Sequence, residues 1–295
     1  MTNAKKLRTI LTNGFQVIPG GYDAFSMALV ETVGFKAGYL GGYSLAASIT
    51  RTPDWGFITQ TEMINAAINS VNAVNMPIIC DIDQGFGALS NFARTIHAYE
   101  NAGVAGVHFE DQFFPKKCGM MPGRTVIPLE ENVRKIKAAL EIRNDPDFVL
   151  ITRTDSQATE GLDGVLRRFD AYLKAGADYG IYFEAQSEEE LRIVAKEFPG
   201  RIIAFIADIP HPAHPLPFGH LPFAVYEEMG YAGVINCAAA FGAAHKAVKA
   251  LYQTMMDSGQ LTLAYFQEHC CTYFENNEIS RINDWEALRQ KYDML

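Results

Sequence analysis

The sequence predicts a (β/α)8 barrel, the α/β fold known as the TIM barrel, for three reasons. Short runs rich in apolar and β-branched residues alternate with amphipathic helical patterns along almost the whole chain. Parallel strands need crossover connections, usually helices, so this alternation predicts an all-parallel sheet. Eight strand–helix repeats within about 250 residues are what closes such a sheet into a barrel. An open, doubly wound sheet is the alternative, but no glycine-rich GxGxxG turn follows the first strand.

The predicted strands are short and regularly spaced. They cover residues 16–19, 38–41, 77–83, 106–111, 148–155, 179–184, 201–208 and 233–237. Helical patterns follow at residues 61–74, 91–102, 129–142, 161–175, 188–198 and 240–257. Ser90 and Ser187 are the expected N-caps of two helices, and Ser187 has Glu190 at capping-box spacing. Gly103 and Gly176 follow helices, where a left-handed C-cap is favoured.

The composition describes a protein with a large core. Of 295 residues, 48% are hydrophobic, so disorder is not expected. Lys and Arg number 25 against 34 Asp and Glu, which gives a net charge of −9. This acidic balance argues against a general nucleic-acid-binding protein, which needs a basic surface.

The chain shows no targeting or membrane signal. Its first twelve residues lack the apolar run and small-residue cleavage site of a signal peptide. No stretch approaches about 18 consecutive apolar residues, so no membrane span is expected. The five cysteines are an odd number, and adjacent Cys270 and Cys271 do not suggest a disulfide framework. We therefore expect a cytoplasmic protein in a reducing compartment.

Charged residues gather at the ends of the predicted strands. Asp81 and Asp83 close the third strand, Glu110 and Asp111 the fourth, Arg153 and Asp155 the fifth, and Glu184 the sixth. In a barrel these positions meet at the rim where active sites are built. Carboxylates gathered there repel one another unless a cation lies among them. Helix capping is the alternative role for each single acid, but the cluster favours a metal site. Asp81 and Asp83 share one face of their strand, and oxygen ligands suit Mg²⁺ or Mn²⁺ better than zinc.

A loop after the fourth strand combines a thiol with two ammonium groups. Its sequence HFEDQFFPKKCGMMPGR places Lys116 and Lys117 directly before Cys118. Cationic neighbours favour the thiolate, so we expect a reactive Cys118 rather than an inert one. Gly119 and Gly123 are possible hinges of a mobile lid that excludes water.

Two segments outside the repeats also carry predictions. Residues 261–295 show helical patterns and the aromatics Phe266, Tyr273, Phe274 and Trp285, too many for a solvated tail. We therefore divide the chain into a barrel domain, residues 1–258, and a C-terminal helical arm, residues 259–295, that packs in an oligomer. The proline-rich loop with His211, Pro212, His214 and His220 is expected to be a wet loop at the rim rather than a transition-metal site.

Several motifs in one order carry a resemblance to a known family. The segments DIDQGFG, HFEDQ, PKKCG and ITRTDS follow one another, with GYLGGYSLAAS and TPDWG before them. Over most of its length the chain resembles the isocitrate lyase and phosphoenolpyruvate mutase superfamily. The KKCG loop is most similar to lyases that cleave methylisocitrate and related 2-substituted malates. The carboxyphosphonoenolpyruvate mutase branch has the same cysteine, so the cysteine alone does not settle the reaction.

The resemblance implies a role for each matching residue. It implies that Asp81 and Asp83, with Glu110 through waters, hold Mg²⁺, for which Mn²⁺ could substitute. It implies that Asp54 lies near the metal and the reacting oxygen, and that Cys118, helped by Lys116, protonates the carbanion that bond cleavage releases. The implied contacts of the 2-oxo acid are Arg153 and the backbone amides of Gly41, Gly42 and Tyr43. Glu184 matches a carboxylate that supports the side of the second product. The family exchanges its eighth helix between subunits, usually in tetramers, so a homotetramer or homodimer is expected.

The chain departs from the family at four places. Gly41-Gly42-Tyr43 stands where the family has Ser-Gly-Gly, and Met120 replaces a histidine. Phe205 aligns with an asparagine, and the segment CAAAFG, residues 237–242, lacks the serine and arginine of the family's PLSxxR. Met120, Phe205 and Asn236 are accordingly our further candidates for contacts with substrate. Apolar groups in place of these donors would leave a buried carboxylate unpaired, which costs several kcal/mol.

These departures direct the functional prediction. We expect a Mg²⁺-dependent carbon–carbon lyase that cleaves a 2-hydroxy acid into a 2-oxo acid and a second acid less polar than succinate. Oxaloacetate decarboxylation and the phosphonopyruvate or carboxyphosphonoenolpyruvate mutase reactions remain alternatives, because they pass through the same kind of enolate. The alternative that is not an enzyme is a catalytically silent binding or assembly subunit.

Overall fold

The computed structural model describes residues 1–207 and 221–292. Within them, eight parallel strands form a closed barrel in chain order, and the last strand pairs with the first. The strands are β1 Gln16–Gly21, β2 Gly38–Leu40, β3 Ile78–Asp81, β4 Gly106–Glu110, β5 Val149–Thr154, β6 Tyr179–Tyr182, β7 Ile202–Ile206 and β8 Gly233–Asn236. The predicted barrel is confirmed. The histidines of the proline-rich loop, His211, His214 and His220, lie outside the described residues, as does the predicted end of the seventh strand at residue 208.

Helices alternate with the strands along the chain. In chain order the helices are α1 Asn3–Thr12, α2 Ala24–Val33, α3 Gly42–Leu45, α4 Gln60–Ala73, α5 Leu89–Asn101, α6 Leu129–Ile142, α7 Gln157–Ala175, α8 Glu188–Glu197, α9 Phe223–Met229, α10 Ala239–Ser258, α11 Leu263–His269, α12 Tyr273–Ile279 and α13 Ile282–Lys291. A π-helical turn, Ala46–Thr50, continues α3. Such turns are frequent at functional sites, and this one leads the chain toward Asp54.

The helix ends follow the predicted signals with two exceptions, at Glu190 and at Ser90. The Ser187 hydroxyl accepts a hydrogen bond from the Glu190 amide, and Gly176 caps α7 in the left-handed region. The Glu190 carboxylate bonds Tyr182 instead of completing the capping box. The prediction for Ser90 was wrong: α5 begins at Leu89, because extended Ala88 takes the cap position and accepts the first helical hydrogen bond.

The interior of the barrel is apolar at the end where the strands begin. Leu7 and Leu11 of α1 pack in one buried cluster with Ile18, Ile151 and other inward side chains of the strands. A second cluster lies between the strands and the surrounding helices. The first helix thus closes one end of the barrel, and the polar residues are left to the opposite end.

The chain divides into two compact units, Met1–Ala239 and Ala240–Leu295. Within its described residues the second unit consists of the helices α10 to α13 and short non-helical connections, which agrees with the predicted helical arm. Its aromatics are exposed in the single chain, including Tyr273 and Phe274 on α12 and Trp285 on α13. Since α10 spans the division at residue 239, the functional boundary after residue 258 and the oligomer packing of the arm stay predictions. None of the described helices combines the length and apolar character that a membrane crossing requires.

Candidate active site

The carboxyl ends of β3 and β4 bring the predicted acids to one rim. After β3 the chain keeps pairing with β4, because the Ile82 amide donates to His108 and the Glu110 amide donates to the Asp83 carbonyl, both at 2.9 Å. Asp83 adopts a positive φ of 49°, a strained conformation for a residue with a side chain. Pairing across the strands therefore fixes Asp83 beside Glu110.

Lys116 lies among three of these carboxylates. Its Nζ is 2.7 Å from Asp54 Oδ1, 2.7 Å from Asp83 Oδ1 and 3.8 Å from Glu110 Oε1. All four side chains are buried, which strengthens their electrostatic interaction. Burial lowers the pKa of Lys116, but the surrounding carboxylates outweigh that effect and hold the pKa well above its ordinary value. Burial raises the pKa of Asp83 to about 7, with Lys116 opposing the rise.

The predicted metal ligands share this rim without forming a coordination shell. Asp81 is turned to backbone donors, with Oδ2 accepting from the Gly42 amide at 3.1 Å and Oδ1 from the Asp83 amide at 2.9 Å. In the part of the chain that the structure describes, no three Asp, Glu, His or Cys side chains are grouped tightly enough to bind a metal ion. The donor set nevertheless fits a hard divalent cation, because carboxylate oxygens already surround the cationic Lys116.

Arg153 joins the charged rim to two aromatic rings. Its Nη2 lies 2.7 Å from Asp155 Oδ1, and its Nη1 lies 3.3 Å from Glu110 Oε2. The guanidinium carbon lies 4.2 Å from the ring centroid of Phe183 and 5.8 Å from that of Phe205. Carboxylates and rings together hold this cation in one orientation at the wall of a cavity.

Cys118 lies in the same cavity, but not as the thiolate that the sequence predicts. Burial raises the pKa of its thiol to about 11, and Asp54 adds to the rise. The lysines do not reverse this effect, because Lys116 is held by carboxylates and Lys117 Nζ donates to the Gly123 carbonyl. The expected reactive thiolate is thus corrected to a protonated thiol at neutral pH.

Two kinds of side chain line the cavity. We call Asp54, Asp81, Lys116 and Arg153 the charged wall, and Met120, Phe183, Phe205, Ala207 and Ala238 the apolar wall. Gly41, Gly42 and Tyr43 also line the cavity, although the Gly42 amide already donates to Asp81. Phe183 and Phe205 meet in an edge-to-face arrangement with their centroids 6.1 Å apart. Cys118 lines the same space, so a molecule held by both walls would be within its reach.

Four predicted residues are not among the described residues that line this cavity: Asp83, Glu110, Glu184 and Asn236. Asp83 and Glu110 are the buried partners of Lys116 described above. Glu184, with a positive φ of 66°, forms an ion pair with Arg124 instead of facing the cavity. Asn236 ends β8 and is not among the lining residues described, although the next residue, Cys237, is. The predicted contacts of Glu184 and Asn236 with substrate stay predictions.

Several residues of the site were missed by sequence reasoning. Phe183 stacks on Arg153, and Gln112 bonds Glu110 and Asp155. Tyr39 lines the cavity and bonds His108 Nδ1 at 2.9 Å, while burial lowers the pKa of His108 to about 4 and keeps its ring neutral. The period of two along β4 could have placed Gln112 with Glu110, whereas nothing in the sequence marks Phe183.

Comparison with known proteins finds similar sequences over most of the chain. A family model described as phosphoenolpyruvate phosphomutase matches residues 7–256. A 2,3-dimethylmalate lyase of Eubacterium barkeri is 36% identical over 296 residues, covering 99% of each chain. A 2-methylisocitrate lyase of Bacillus subtilis is 38% identical over 246 residues, covering 82% of this chain and 77% of the relative.

The fold is also similar to that of a solved enzyme structure that contains a bound metal ion. Phosphonopyruvate hydrolase in complex with oxalate and Mg²⁺ superposes with a TM-score of 0.86 and 26% identity, covering 99% of both chains. The fold, the ordered motifs and these relatives lead to one conclusion. The chain belongs to the phosphoenolpyruvate mutase/isocitrate lyase superfamily.

Proposed function

We propose that the protein is a Mg²⁺-dependent carbon–carbon lyase that cleaves a 2-substituted malate into a 2-oxo acid and a second, less polar acid. The observation that carries this proposal is the cavity lined by the charged wall, the apolar wall and the Cys118 thiol, whose raised pKa keeps it protonated at neutral pH. The lyases among the relatives support the reaction class.

The charged wall suits the half of the substrate that becomes the 2-oxo acid. Arg153 is rigidly held and offers a planar set of donors that matches a carboxylate. Asp81, Asp83 and Glu110 are the residues that would hold the metal. A bound divalent cation would stabilise negative charge on the substrate's oxygen atoms.

The proposed bond cleavage requires a proton acceptor and a proton donor, and we assign these roles to Asp54 and Cys118. The 2-hydroxyl group loses its proton, and Asp54 is the carboxylate proposed to accept it. A carbonyl then forms at carbon 2 while the bond to carbon 3 breaks, and its electron pair passes to the carboxylate of the departing fragment. Cys118 donates its proton to carbon 3, which completes the second acid. A thiol with a raised pKa is suited to this step, because it arrives protonated at neutral pH.

The apolar wall determines which second fragment is accepted. Met120, Phe183 and Phe205 offer no side-chain hydrogen-bond donors, so an added carboxylate on the substituent of carbon 3 would be desolvated without a partner among these described residues. That arrangement costs several kcal/mol, whereas an alkyl substituent gains from burial. Malates with an alkyl group on carbon 3 are therefore preferred over isocitrate and methylisocitrate.

The test is a 2-oxo acid release assay over a substrate panel. It compares 2-alkylmalates with and without an alkyl group on carbon 3, methylisocitrate, isocitrate, oxaloacetate and phosphonopyruvate, each with Mg²⁺ and with EDTA. The proposal expects Mg²⁺-dependent release from an alkylmalate and little from methylisocitrate. Preferred turnover of oxaloacetate or phosphonopyruvate would replace the lyase with the decarboxylase or phosphonate reaction. Silence with every compound would favour a binding or assembly subunit.

We also propose that the C-terminal arm packs in a homodimer or homotetramer. The exposed aromatics Tyr273, Phe274 and Trp285 support this assignment, since such side chains are depleted on solvated surfaces. Light scattering of the full chain tests it, and a monomer at micromolar concentration would contradict it.

A further inference from the structure

We propose that Gln112 is a positioning residue that fastens the loop bearing Lys116 and Cys118 to the buried carboxylates of the barrel. This inference rests on the proposed function for its catalytic meaning, since those two side chains act in the reaction. Its structural part concerns the placement of the loop and can be tested without any substrate.

The side chain of Gln112 makes four contacts. Its Nε2 lies 3.1 Å from Glu110 Oε1, 3.0 Å from Asp155 Oδ2 and 3.0 Å from the Lys117 carbonyl oxygen. Its Oε1 accepts a hydrogen bond from the Lys117 amide at 3.0 Å. The residue is only 2% exposed. One amide therefore bonds both backbone groups of a loop residue and two acids of the barrel.

A carboxamide offers both the acceptor and the donors that these neighbours need. The Lys117 amide needs an acceptor, whereas the Lys117 carbonyl and the two carboxylates need donors. Rotating the amide by 180° would face its oxygen toward Glu110 and Asp155, so the orientation is fixed by its partners. Three acceptors compete for two N–H groups, which makes the contact sensitive to any shift of the loop.

The contact lies at the centre of the functional segment. Lys117 stands between Lys116 and Cys118, so holding both of its backbone groups restricts the two neighbouring side chains. The base of the loop is tied separately, where the Phe113 amide donates to the Thr125 carbonyl and Gln112 pairs with Val126. The backbone of Gln112 thus takes part in the pairing at the base of the loop, while its side chain contacts Lys117, between Lys116 and Cys118.

The same acids also orient Arg153. Glu110 and Asp155 accept from Gln112 with one oxygen each and face Arg153 with the other. A loop that leaves Gln112 would therefore free donors beside the carboxylates that hold the substrate-binding arginine. Closure of the loop and orientation of Arg153 are coupled through one side chain.

The test measures the alkylation rate of Cys118 by iodoacetamide, resolved by peptide mass spectrometry, in protein without substrate. Gln112→Glu keeps the size but sets a carboxylate against Glu110 and Asp155, so we expect the loop to detach. Loss of these buried hydrogen bonds should speed alkylation by about tenfold or more. In the presence of substrate, kcat should fall by at least a similar factor.

Matched variants separate positioning from general damage. Gln253→Glu makes the same chemical change at an exposed residue of α10 and should leave the alkylation rate and kcat unchanged. Gln112→Met adds no charge and decides the question if Gln112→Glu does not fold. Wild-type alkylation rates in both Gln112 variants would overturn the proposal. If the wild-type protein turns over no substrate and Gln112→Glu still speeds the alkylation of Cys118, the positioning role of Gln112 stands and the proposed lyase activity is rejected.

Discussion

The guanidinium carbon of Arg153 lies 4.2 Å from the ring centroid of Phe183, where the charged wall of the cavity meets the apolar wall. The ring limits the orientations that Arg153 can adopt and excludes water from one of its faces. We predict that Phe183→Leu, which keeps an apolar group but removes the stack, raises KM about fivefold to thirtyfold. Steady-state kinetics on the best alkylmalate measures this change.

Phe113→Leu is the control for that variant. Phe113 belongs to the loop but is 48% exposed, so its replacement should leave KM within about twofold. Equal effects of the two substitutions would show that the stack has no particular role.

Cys118 is the proton donor of the proposed reaction. We predict that Cys118→Ser lowers kcat by about a hundredfold to ten-thousandfold, the range for loss of a general acid. Cys271→Ser, the same change at an exposed cysteine of the arm, should leave kcat unaltered. If Cys118→Ser retains most of its turnover, proton donation must be assigned to another group.

The ionisation of Cys118 gives a separate prediction. Burial raises its pKa to about 11, so the donating thiol is present below that value and is lost as pH rises through it. Alkylation needs the thiolate, so its rate at Cys118 should still rise between about pH 8 and about pH 10, while exposed Cys271 reacts faster throughout. Peptide-resolved alkylation rates measure both. A plateau for Cys118 near about pH 8 would contradict the raised pKa.

A buried network behind the rim predicts a difference in stability between two adjacent arginines. Arg168 Nη1 lies 3.1 Å from Asp111 Oδ2, which also accepts from Tyr172 and Thr154. Arg168→Ala leaves Asp111 buried without its cation and should cost about 3 to 5 kcal/mol in the free energy of unfolding. Arg167→Ala removes an exposed partner of Glu160 and should cost about 1 kcal/mol or less. Urea denaturation of both variants measures these losses. Similar losses in the free energy of unfolding would contradict the stabilising role of the buried Arg168–Asp111 pair.

Much of the fold follows from sequence because its signals are local and repeated. All eight strands and the six predicted helices occur near their expected positions, since strand-length apolar runs and helical periods alternate without interruption. The rim position of Asp81, Glu110 and Arg153 follows from strand ends alone. Ser90 was misplaced because the cap depends on where the preceding loop becomes helical, and that loop is shaped by tertiary contacts.

The site was less predictable where it depends on contacts between distant segments. Lys116 meets Asp54 and Asp83 through the folding of two loops, and its position explains why neighbouring lysines do not ionise Cys118. Sequence adjacency suggested a thiolate, but burial of the thiol is the larger effect. Phe183 could not be found from sequence, because stacking on Arg153 depends on the register between β5 and β6.

The most direct test of the central claim follows a 2-alkylmalate in D₂O by proton NMR with Mg²⁺ present. Cleavage between carbons 2 and 3 with proton donation by Cys118 predicts a 2-oxo acid together with a second acid that carries one new deuterium on the former carbon 3. The Cys118→Ser protein should form neither product at an appreciable rate. If the wild-type protein leaves every alkylmalate intact, or releases a 2-oxo acid without forming the second acid, the proposed carbon–carbon cleavage is wrong.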